Sequence, residues 1–177
     1  DLINFIDIKD KNIECYDIEP KKDFIIKRDT LITPPDYTNK FIITNPPYLA
    51  RNKSKCKIIF DKYNENDLYK CFLKTIIENQ CLGGILIIPL NFWCSIRKND
   101  ILIRKQFLNI YQIIHMNIFE ERVFDDTNYT ICSFQFQLGK NEIINCSIYP
   151  SEKNIQFSLN SINNYIIGGE IYKLPQS

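Results

Sequence analysis

Phe41-Ile42-Ile43-Thr44-Asn45-Pro46-Pro47-Tyr48 joins an apolar run directly to a short polar and aromatic motif. The apolar run predicts a strand, and the prolines end it because proline has no backbone N–H to give to a sheet. They also fix φ at about −65°, so they predict a stiff turn immediately after the strand. Any pair of prolines can end a strand, so the motif alone leaves a structural and a functional interpretation equally open.

The residue types in this turn suit the binding of a planar amino group. Such a nitrogen is a poor nucleophile because its lone pair is delocalised. The Asn45 side-chain oxygen and the Pro46 carbonyl can accept its two N–H groups, and a wrong substrate would leave these acceptors unpaired. Pro47 keeps the turn rigid, and Tyr48 offers a face for stacking. We therefore expect these residues to hold a planar nitrogen for group transfer.

This motif and its setting resemble the N6-adenine DNA methyltransferases, over residues 1–138. The resemblance implies an α/β, Rossmann-like fold with a mostly parallel, doubly wound sheet. It implies S-adenosylmethionine as cofactor and double-stranded DNA as partner, with the target adenine turned out of the duplex. It also implies an enzyme of restriction-modification or viral type, for which a restriction endonuclease would be a counterpart.

Other substrates remain open at this point. The release-factor glutamine methyltransferases carry the same motif and act on a side-chain amide, and some RNA methyltransferases carry related forms. A non-catalytic remnant that binds DNA or a partner is a further alternative. The basic residues after the motif favour a nucleic acid.

The first expected cofactor element is residues 12–20, which predict a strand that stops at acidic residues and a proline. Ligands of open α/β sheets bind at the carboxyl ends of strands, where a carboxylate can accept the ribose hydroxyls. By the resemblance, Asp17 does this and Ile18 packs on the cofactor adenine. Glu19 is a rival carboxylate for the same role.

The second expected cofactor element is the end of a short strand over residues 24–31. Asp29-Thr30 resembles the family element whose carboxylate takes the adenine amino group of the cofactor. Asp29 could instead only form a turn. Asp17 and Asp29 are so close in sequence that we predict a loop or a single turn between the two strands, where the family has a helix.

A third cofactor element is missing from the sequence. The family binds the methionine end of its cofactor with a Gly-rich loop, but all five glycines here follow the Asn-Pro-Pro-Tyr motif. Residues 1–7 have apolar residues at helical spacing, as expected for the end of the helix after that loop. We therefore expect a fold without its first strand and Gly loop, a truncated chain that is inactive alone.

Two further segments are candidates for substrate binding. The residues after Tyr48 are rich in positive charge, and we expect a mobile loop that contacts DNA phosphates, although charged runs are more often only solvated surface. Its cations are Arg51, Lys53, Lys55, Lys57 and Lys62. By the resemblance, Phe124 lies where the family keeps a second aromatic residue, so we expect it to contact the target base opposite Tyr48. A core role for Phe124 is equally compatible with the sequence.

The rest of the chain predicts alternating helices and strands. Residues 67–80 predict a helix with Asp67 as its N-cap, and residues 101–108 predict another. Strands are predicted over residues 85–88, 110–118, 129–138, 143–149 and 155–159. We divide the chain into a partial methyltransferase catalytic domain, 1–139, and a strand-rich extension, 140–177, compatible with the start of a target-recognition region.

Composition narrows the function further. With 177 residues, 45% of them hydrophobic, the chain can bury the core of one domain. Its net charge of +1 is small, so any DNA binding must use a local patch of positive charge.

The seven cysteines lack Cys-x-x-Cys spacing and predict buried thiols in a reducing, intracellular compartment. One histidine, His115, makes a His-based metal centre unexpected, so we expect no metal. No apolar run is long enough for a bilayer, so we expect no membrane partner.

Overall fold

The computed structural model of the chain describes residues 13–168, so the helix expected within residues 1–7 lies outside the described residues. The chain divides into two compact units, Asp1–Pro35 and Asp36–Ser177.

The first unit contains a pair of short parallel strands, β1 (Tyr16–Asp17) and β2 (Ile26–Lys27). Residues 18–25 connect them without a helix, which confirms the expected loop. Both strands are shorter than predicted. β2 stops early because Asp29 starts a turn, in which its carboxylate oxygen Oδ1 accepts the N–H groups of Leu31 and Ile32 at 2.9 and 3.1 Å.

The second unit is built on a mixed sheet of six strands, in the order β3-β4-β6-β5-β7-β8. β3, β4, β5 and β7 run in one direction, and β6 and β8 run in the other. The insertion of antiparallel β6 between β4 and β5 is a feature that periodicity did not predict. The strands are β3 (Phe41–Thr44), β4 (Gly83–Pro89), β5 (Tyr111–Phe119), β6 (Ile131–Leu138), β7 (Ile143–Tyr149) and β8 (Lys153–Ser158).

Four helices follow the first two strands of this sheet: α1 (Ile58–Tyr63), α2 (Leu68–Asn79), α3 (Asn91–Cys94) and α4 (Lys98–Leu108). α2 and α4 contact each other and share one hydrophobic core with the alternate residues of the central strands. Trp93 and Phe107 lie in this core beside Phe134 of β6, with ring centroids 5.2 and 6.0 Å from the Phe134 centroid. The α/β fold predicted from the sequence is confirmed, with a mixed sheet.

The C-terminal strands extend the same sheet. β7 pairs in parallel with β5, and β8 pairs antiparallel with β7. Apart from β1 and β2 of the first unit, all the strands of the described residues therefore belong to one sheet. The division of function at residues 139 and 140 stays a prediction.

A buried group of charged side chains joins the start of α2 to α4. Lys70 is only 2% exposed, and its Nζ lies 2.6 Å from Asp100 Oδ1 and 3.1 Å from Asp67 Oδ2. Asp67 stands at the N-cap of α2 as predicted, but its side chain makes no cap hydrogen bond and pairs with Lys70 instead. Glu65 is also buried, and its Oε2 accepts a hydrogen bond of 2.7 Å from Asn99 Nδ2.

Burial raises the pKa of Glu65 from its usual 4.5 to about 7, because loss of solvent outweighs the nearby charges of Lys74 and Lys70 and the bond from Asn99. The neutral form of Glu65 is thus favoured more strongly in the folded chain than in the unfolded chain. The folded chain therefore has its full stability below pH 4.5, where Glu65 is neutral in both states, and it loses stability as the pH rises to about 7.

We expect Glu65→Gln to remove this pH dependence. The unfolding free energy of the native chain, measured by urea denaturation, should fall relative to that of the variant as the pH rises from 5 to 8, by on the order of 3 kcal/mol. Glu78→Gln, on the exposed face of α2, is the control and should follow the native chain. Parallel curves for the native chain and Glu65→Gln would show that Glu65 is charged throughout.

Candidate functional site

The sheet topology brings three loops of the second unit to one edge. β3, β4 and β5 run in the same direction, so the segments that leave their carboxyl ends emerge together. These segments are residues 45–57, 90–97 and 120–130. In open α/β sheets this is the edge at which ligands bind.

The motif Asn45 to Tyr48 begins directly where β3 ends at Thr44. Asn45 is exposed, Pro46 is buried and Tyr48 is half-buried. The Tyr48 hydroxyl oxygen lies 2.8 Å from Asn45 Oδ1 and 3.0 Å from the carbonyl oxygen of Ile87 in β4. The Tyr48 side chain therefore ties the motif to β4, just beyond the residues of β3 that pair with β4.

Three aromatic rings meet at this edge. The Tyr48 ring centroid lies 6.2 Å from that of Tyr69, edge to face, and 6.2 Å from that of Phe124, with planes tilted by 58°. Phe124 comes from the loop after β5, so the expected neighbourhood of Tyr48 and Phe124 is present. Because the two ring planes are tilted, a base cannot stack face to face on both rings at once in this arrangement.

Burial raises the pKa of the Tyr48 hydroxyl, and the negative charge of Asp126 adds to the effect. The hydroxyl therefore keeps its proton at neutral pH. Tyr48 can donate a hydrogen bond or offer its ring for contact, but it cannot act as a phenolate base.

A cavity of about 210 Å³ lies beside this group of rings and was not anticipated from the sequence. Tyr69, which packs against Tyr48, forms part of the cavity wall, and the lining also contains the ion pairs of Lys70 with Asp67 and Asp100. The lining includes Asp67, Tyr69, Lys70, Asn91, Ser95 and Arg97. Its opposite charges are largely paired with each other, so it has no strong preference for an anion or a cation.

The basic segment after the motif, predicted as a mobile loop, contains a 3-10 turn and most of the short helix α1. Residues Arg51–Lys53 form a 3-10 turn, and Arg51 Nη1 lies 2.5 Å from Asp61 Oδ1 of α1. Lys57 turns inward and donates to the carbonyl oxygens of Arg51 and, at 2.5 Å, Ser54. Lys53, Lys55 and Lys62 are exposed, and Lys62 Nζ lies over the ring of Tyr63, 4.9 Å from its centroid. Lys53 and Lys55, next to the motif, are therefore the lysines best placed to meet a phosphate there.

The cofactor candidates lie in the first unit, at the ends of its paired strands. Asp17 ends β1, is exposed, and accepts the Glu19 N–H at 2.8 Å, while Ile18 is 59% exposed. Asp29 and Thr30 follow β2 and are half-buried. Because β1 and β2 are parallel, Asp17 and Asp29 leave the same edge of this pair. Asp29 Oδ1 accepts the hydrogen bonds of the turn described above, so Oδ2 is the carboxylate oxygen that is left for a ligand.

Arg104 of α4 is a charged residue inside the core, and its side chain is 0% exposed. Its guanidinium donates to the carbonyl oxygens of Phe92 and, at 2.6 Å, Ser95. Arg104 thus fixes the short helix α3 onto α4. Helical spacing gave a signal for this, since Arg104 shares a face with Asp100 and Phe107.

No group of His, Cys, Asp and Glu side chains in the described residues, 13–168, is arranged to hold a metal ion. None of the helices in that range has the length and apolar content needed to cross a bilayer. His115 lies within β5, where its Nε2 is 3.1 Å from Ser147 Oγ of β7.

No family model and no curated protein matches this chain. Solved structures do match. The modification subunit of a putative type I restriction enzyme from Vibrio vulnificus YJ016 is 17% identical, with a TM-score of 0.56 over 70% of this chain and 29% of that one. The type I restriction-modification methyltransferase subunit from Streptococcus thermophilus is 16% identical, with a TM-score of 0.54 over 80% and 35%.

A chain from a type I restriction-modification complex is 15% identical, with a TM-score of 0.58 over 71% of this chain and 27% of that one. The present chain therefore spans about a third or less of the length of these proteins. At such low identity the likeness establishes the fold. The fold is the Rossmann-like α/β fold of methyltransferase subunits.

Proposed function

We propose that this chain is part of the catalytic domain of an S-adenosylmethionine-dependent DNA methyltransferase that modifies the N6 amino group of adenine. The observation that carries the proposal is the position of Asn45 to Tyr48. The motif stands at the carboxyl end of β3, and the loop after β5 brings Phe124 within 6.2 Å of Tyr48. The fold shared with restriction-modification subunits supports a DNA substrate and a restriction endonuclease as counterpart.

In this proposal the chain acts by positioning. Asn45 and the Pro46 carbonyl accept the two N–H groups of the target amine, which orients the nitrogen lone pair for transfer. Tyr48 and Phe124 contact the base after it has left the duplex, and this contact offsets the cost of unstacking, a few kcal/mol. No side chain needs to remove a proton before transfer, which agrees with the protonated state of Tyr48.

The bound cofactor would supply an electrophilic methyl group. Carboxylates that follow two parallel strands fit a ligand with neighbouring hydroxyl and amino groups, so Asp17, which is exposed, and Asp29, which is half-buried, are the residues proposed to hold it. Ile18, exposed beside Asp17, would pack on an adenine ring, and Thr30 would line the same site.

Asp17→Asn and Glu19→Gln distinguish the two candidate ribose ligands. In the complete protein that carries this chain, Asp17→Asn is expected to weaken S-adenosylmethionine binding about tenfold, because a charged acceptor for the hydroxyls becomes a neutral one. Glu19→Gln is the matched control and should bind as the unmodified protein does, in calorimetric titration. The reverse pattern would assign the ribose to Glu19.

The exposed lysines of the basic segment are expected to bind phosphates. The double variant Lys53→Ala, Lys55→Ala should bind duplexes of every sequence more weakly. The slope of log affinity against log salt should fall by about 2, because binding releases about one counterion fewer for each phosphate contact that is lost. Lys98→Ala with Lys105→Ala, two exposed lysines of α4, form the control pair. An unchanged slope would make Lys53 and Lys55 ordinary surface residues.

The proposal as a whole is tested by methyl transfer. The complete protein is incubated with duplex DNA and S-adenosylmethionine labelled in its methyl group, and the DNA is digested to nucleosides. Label in N6-methyladenine is the expected result. Label in cytosine, in RNA or in a glutamine side chain of a protein substrate would reassign the substrate, and no label in any acceptor would favour a non-catalytic remnant.

A further inference from the structure

The Tyr48 hydroxyl is close to two oxygen atoms, and it has only one hydrogen to share. Its oxygen lies 2.8 Å from Asn45 Oδ1 and 3.0 Å from the Ile87 carbonyl oxygen. Both distances are those of hydrogen bonds, and both partners are acceptors. A phenol can donate one hydrogen bond and accept others. In this arrangement one of the two acceptors must go without a donor from Tyr48.

The conflict disappears if the Asn45 carboxamide is turned by half a rotation. Its oxygen and nitrogen have nearly the same outline, and their assignment follows from the hydrogen bonds that they make. With Nδ2 next to Tyr48, the amide donates to the hydroxyl oxygen, and the hydroxyl donates to Ile87. Every group in the chain of bonds then has a partner, and the Asn45 oxygen faces away from Tyr48.

The packing around Tyr48 makes this orientation rigid. The last residue pair of β3 with β4 is Thr44 with Leu86, so the Ile87 carbonyl lies just beyond the paired part of β3. The Tyr48 ring is half-buried, with Tyr69 packed edge-on against it. The hydroxyl is therefore fixed to β4 by the fold, and it can fix Asn45 in turn.

We propose that Tyr48 is a positioning residue whose hydroxyl locks the Asn45 carboxamide with its oxygen toward the exposed side of the motif. The inference rests on the proposed function and gives it a source of selectivity. A locked oxygen accepts an N–H group, so the site takes a base with an exocyclic amine. A carboxamide free to turn could present its N–H₂ to a keto oxygen instead, and Asn45 would then no longer help to select an amine.

The orientation can be measured directly on the 177-residue chain. Nuclear Overhauser contacts are recorded between the Asn45 amide protons and the ring protons of Tyr48 beside its hydroxyl, with the Asn45 signals identified by their loss in Asn45→Asp. A contact is the expected result. In Tyr48→Phe the Asn45 amide protons should exchange with solvent about tenfold faster, whereas Tyr69→Phe, which removes a hydroxyl from the adjacent ring, should leave them unchanged.

Kinetics of the complete protein provide the second measurement. Tyr48→Phe keeps the ring and should reduce kcat for transfer about tenfold with the KM for DNA unchanged. Tyr149→Phe, which removes the hydroxyl of an exposed residue of β7, should change neither. Absence of the Overhauser contact in the unmodified chain, or a loss carried by KM, would overturn the inference. If the unmodified protein transfers no methyl group to DNA, the proposed function fails, and the Overhauser contact still decides the orientation of Asn45.

Discussion

Replacement of Asn45 by alanine is expected to slow methyl transfer to adenine by at least ~100-fold in the complete protein, a loss typical of removing one preorganised hydrogen-bonding group from a catalytic site. The side chain is exposed at the end of β3, so its loss leaves no cavity in the core. The affinity for S-adenosylmethionine should stay nearly unchanged, because the proposed cofactor ligands, Asp17 and Asp29, lie elsewhere in the chain. The rate is measured by transfer of labelled methyl groups and the affinity by calorimetry.

Asn52→Ala is the matched control, because Asn52 is an exposed asparagine in the 3-10 turn that follows the motif. It should transfer methyl groups at the rate of the unmodified protein. Equal rates for Asn45→Ala and the unmodified protein would remove Asn45 from the site. A parallel loss of cofactor affinity would mean instead that the substitution disturbs the fold.

Gly84→Ala is expected to destabilise the chain by about 3 kcal/mol or more, the upper part of the range for overpacked cores. A Cβ at Gly84 would overlap the carbonyl oxygen of Ile42 and lie 2.8 Å from Ile42 Cγ1. The overlapping atom belongs to the backbone of the paired strand, so β3 itself must move. Because Asn45 follows β3 directly, the same change should displace the motif.

The measurement for Gly84→Ala is urea denaturation of the chain, followed by circular dichroism. Gly168→Ala is the control: nothing lies within 4 Å of a Cβ there, although its φ of +71° costs an alanine about 1 kcal/mol. If Gly84→Ala lowers the free energy of unfolding no more than Gly168→Ala does, β3 can move away from β4 at little cost in stability. The close spacing of β3 and β4 would then not be needed to position the motif.

The strands of the second unit could be predicted because their signals are local. Residues 85–88 are continuously apolar, and they lie within β4, which has Phe134 and its neighbours in β6 on one side and β3 on the other. The order of the strands could not be predicted in the same way. β6 lies between β4 and β5 because it pairs with segments that are distant in sequence. The spacing of apolar residues within a strand does not indicate which other strand will pair with it.

The position of the motif in the fold could be predicted because the prolines fix the local backbone, whereas the partners of individual side chains could not. Asn45 and Tyr48 stand at the end of a strand, as the prolines predicted. Lys57 was grouped with the exposed lysines, because a charge run does not reveal which member will turn inward to carbonyl oxygens. The hydrogen bond from Tyr48 to Ile87 joins residues far apart in sequence, so only the folded chain reveals it.

The exposed thiol of Cys56 stands between Lys55 and Lys57 in the basic segment. Burial raises the pKa of the Cys71, Cys81, Cys132 and Cys146 thiols and so suppresses their reactive thiolate forms. A maleimide dye should therefore attach to Cys56 well before these four. In a background in which the half-buried Cys15 and Cys94 are replaced by serine, Cys56 offers a fluorescent reporter between two lysines. Cys56 thus gives an attachment point for a fluorescent dye whose signal would report the approach of a DNA duplex to the basic segment.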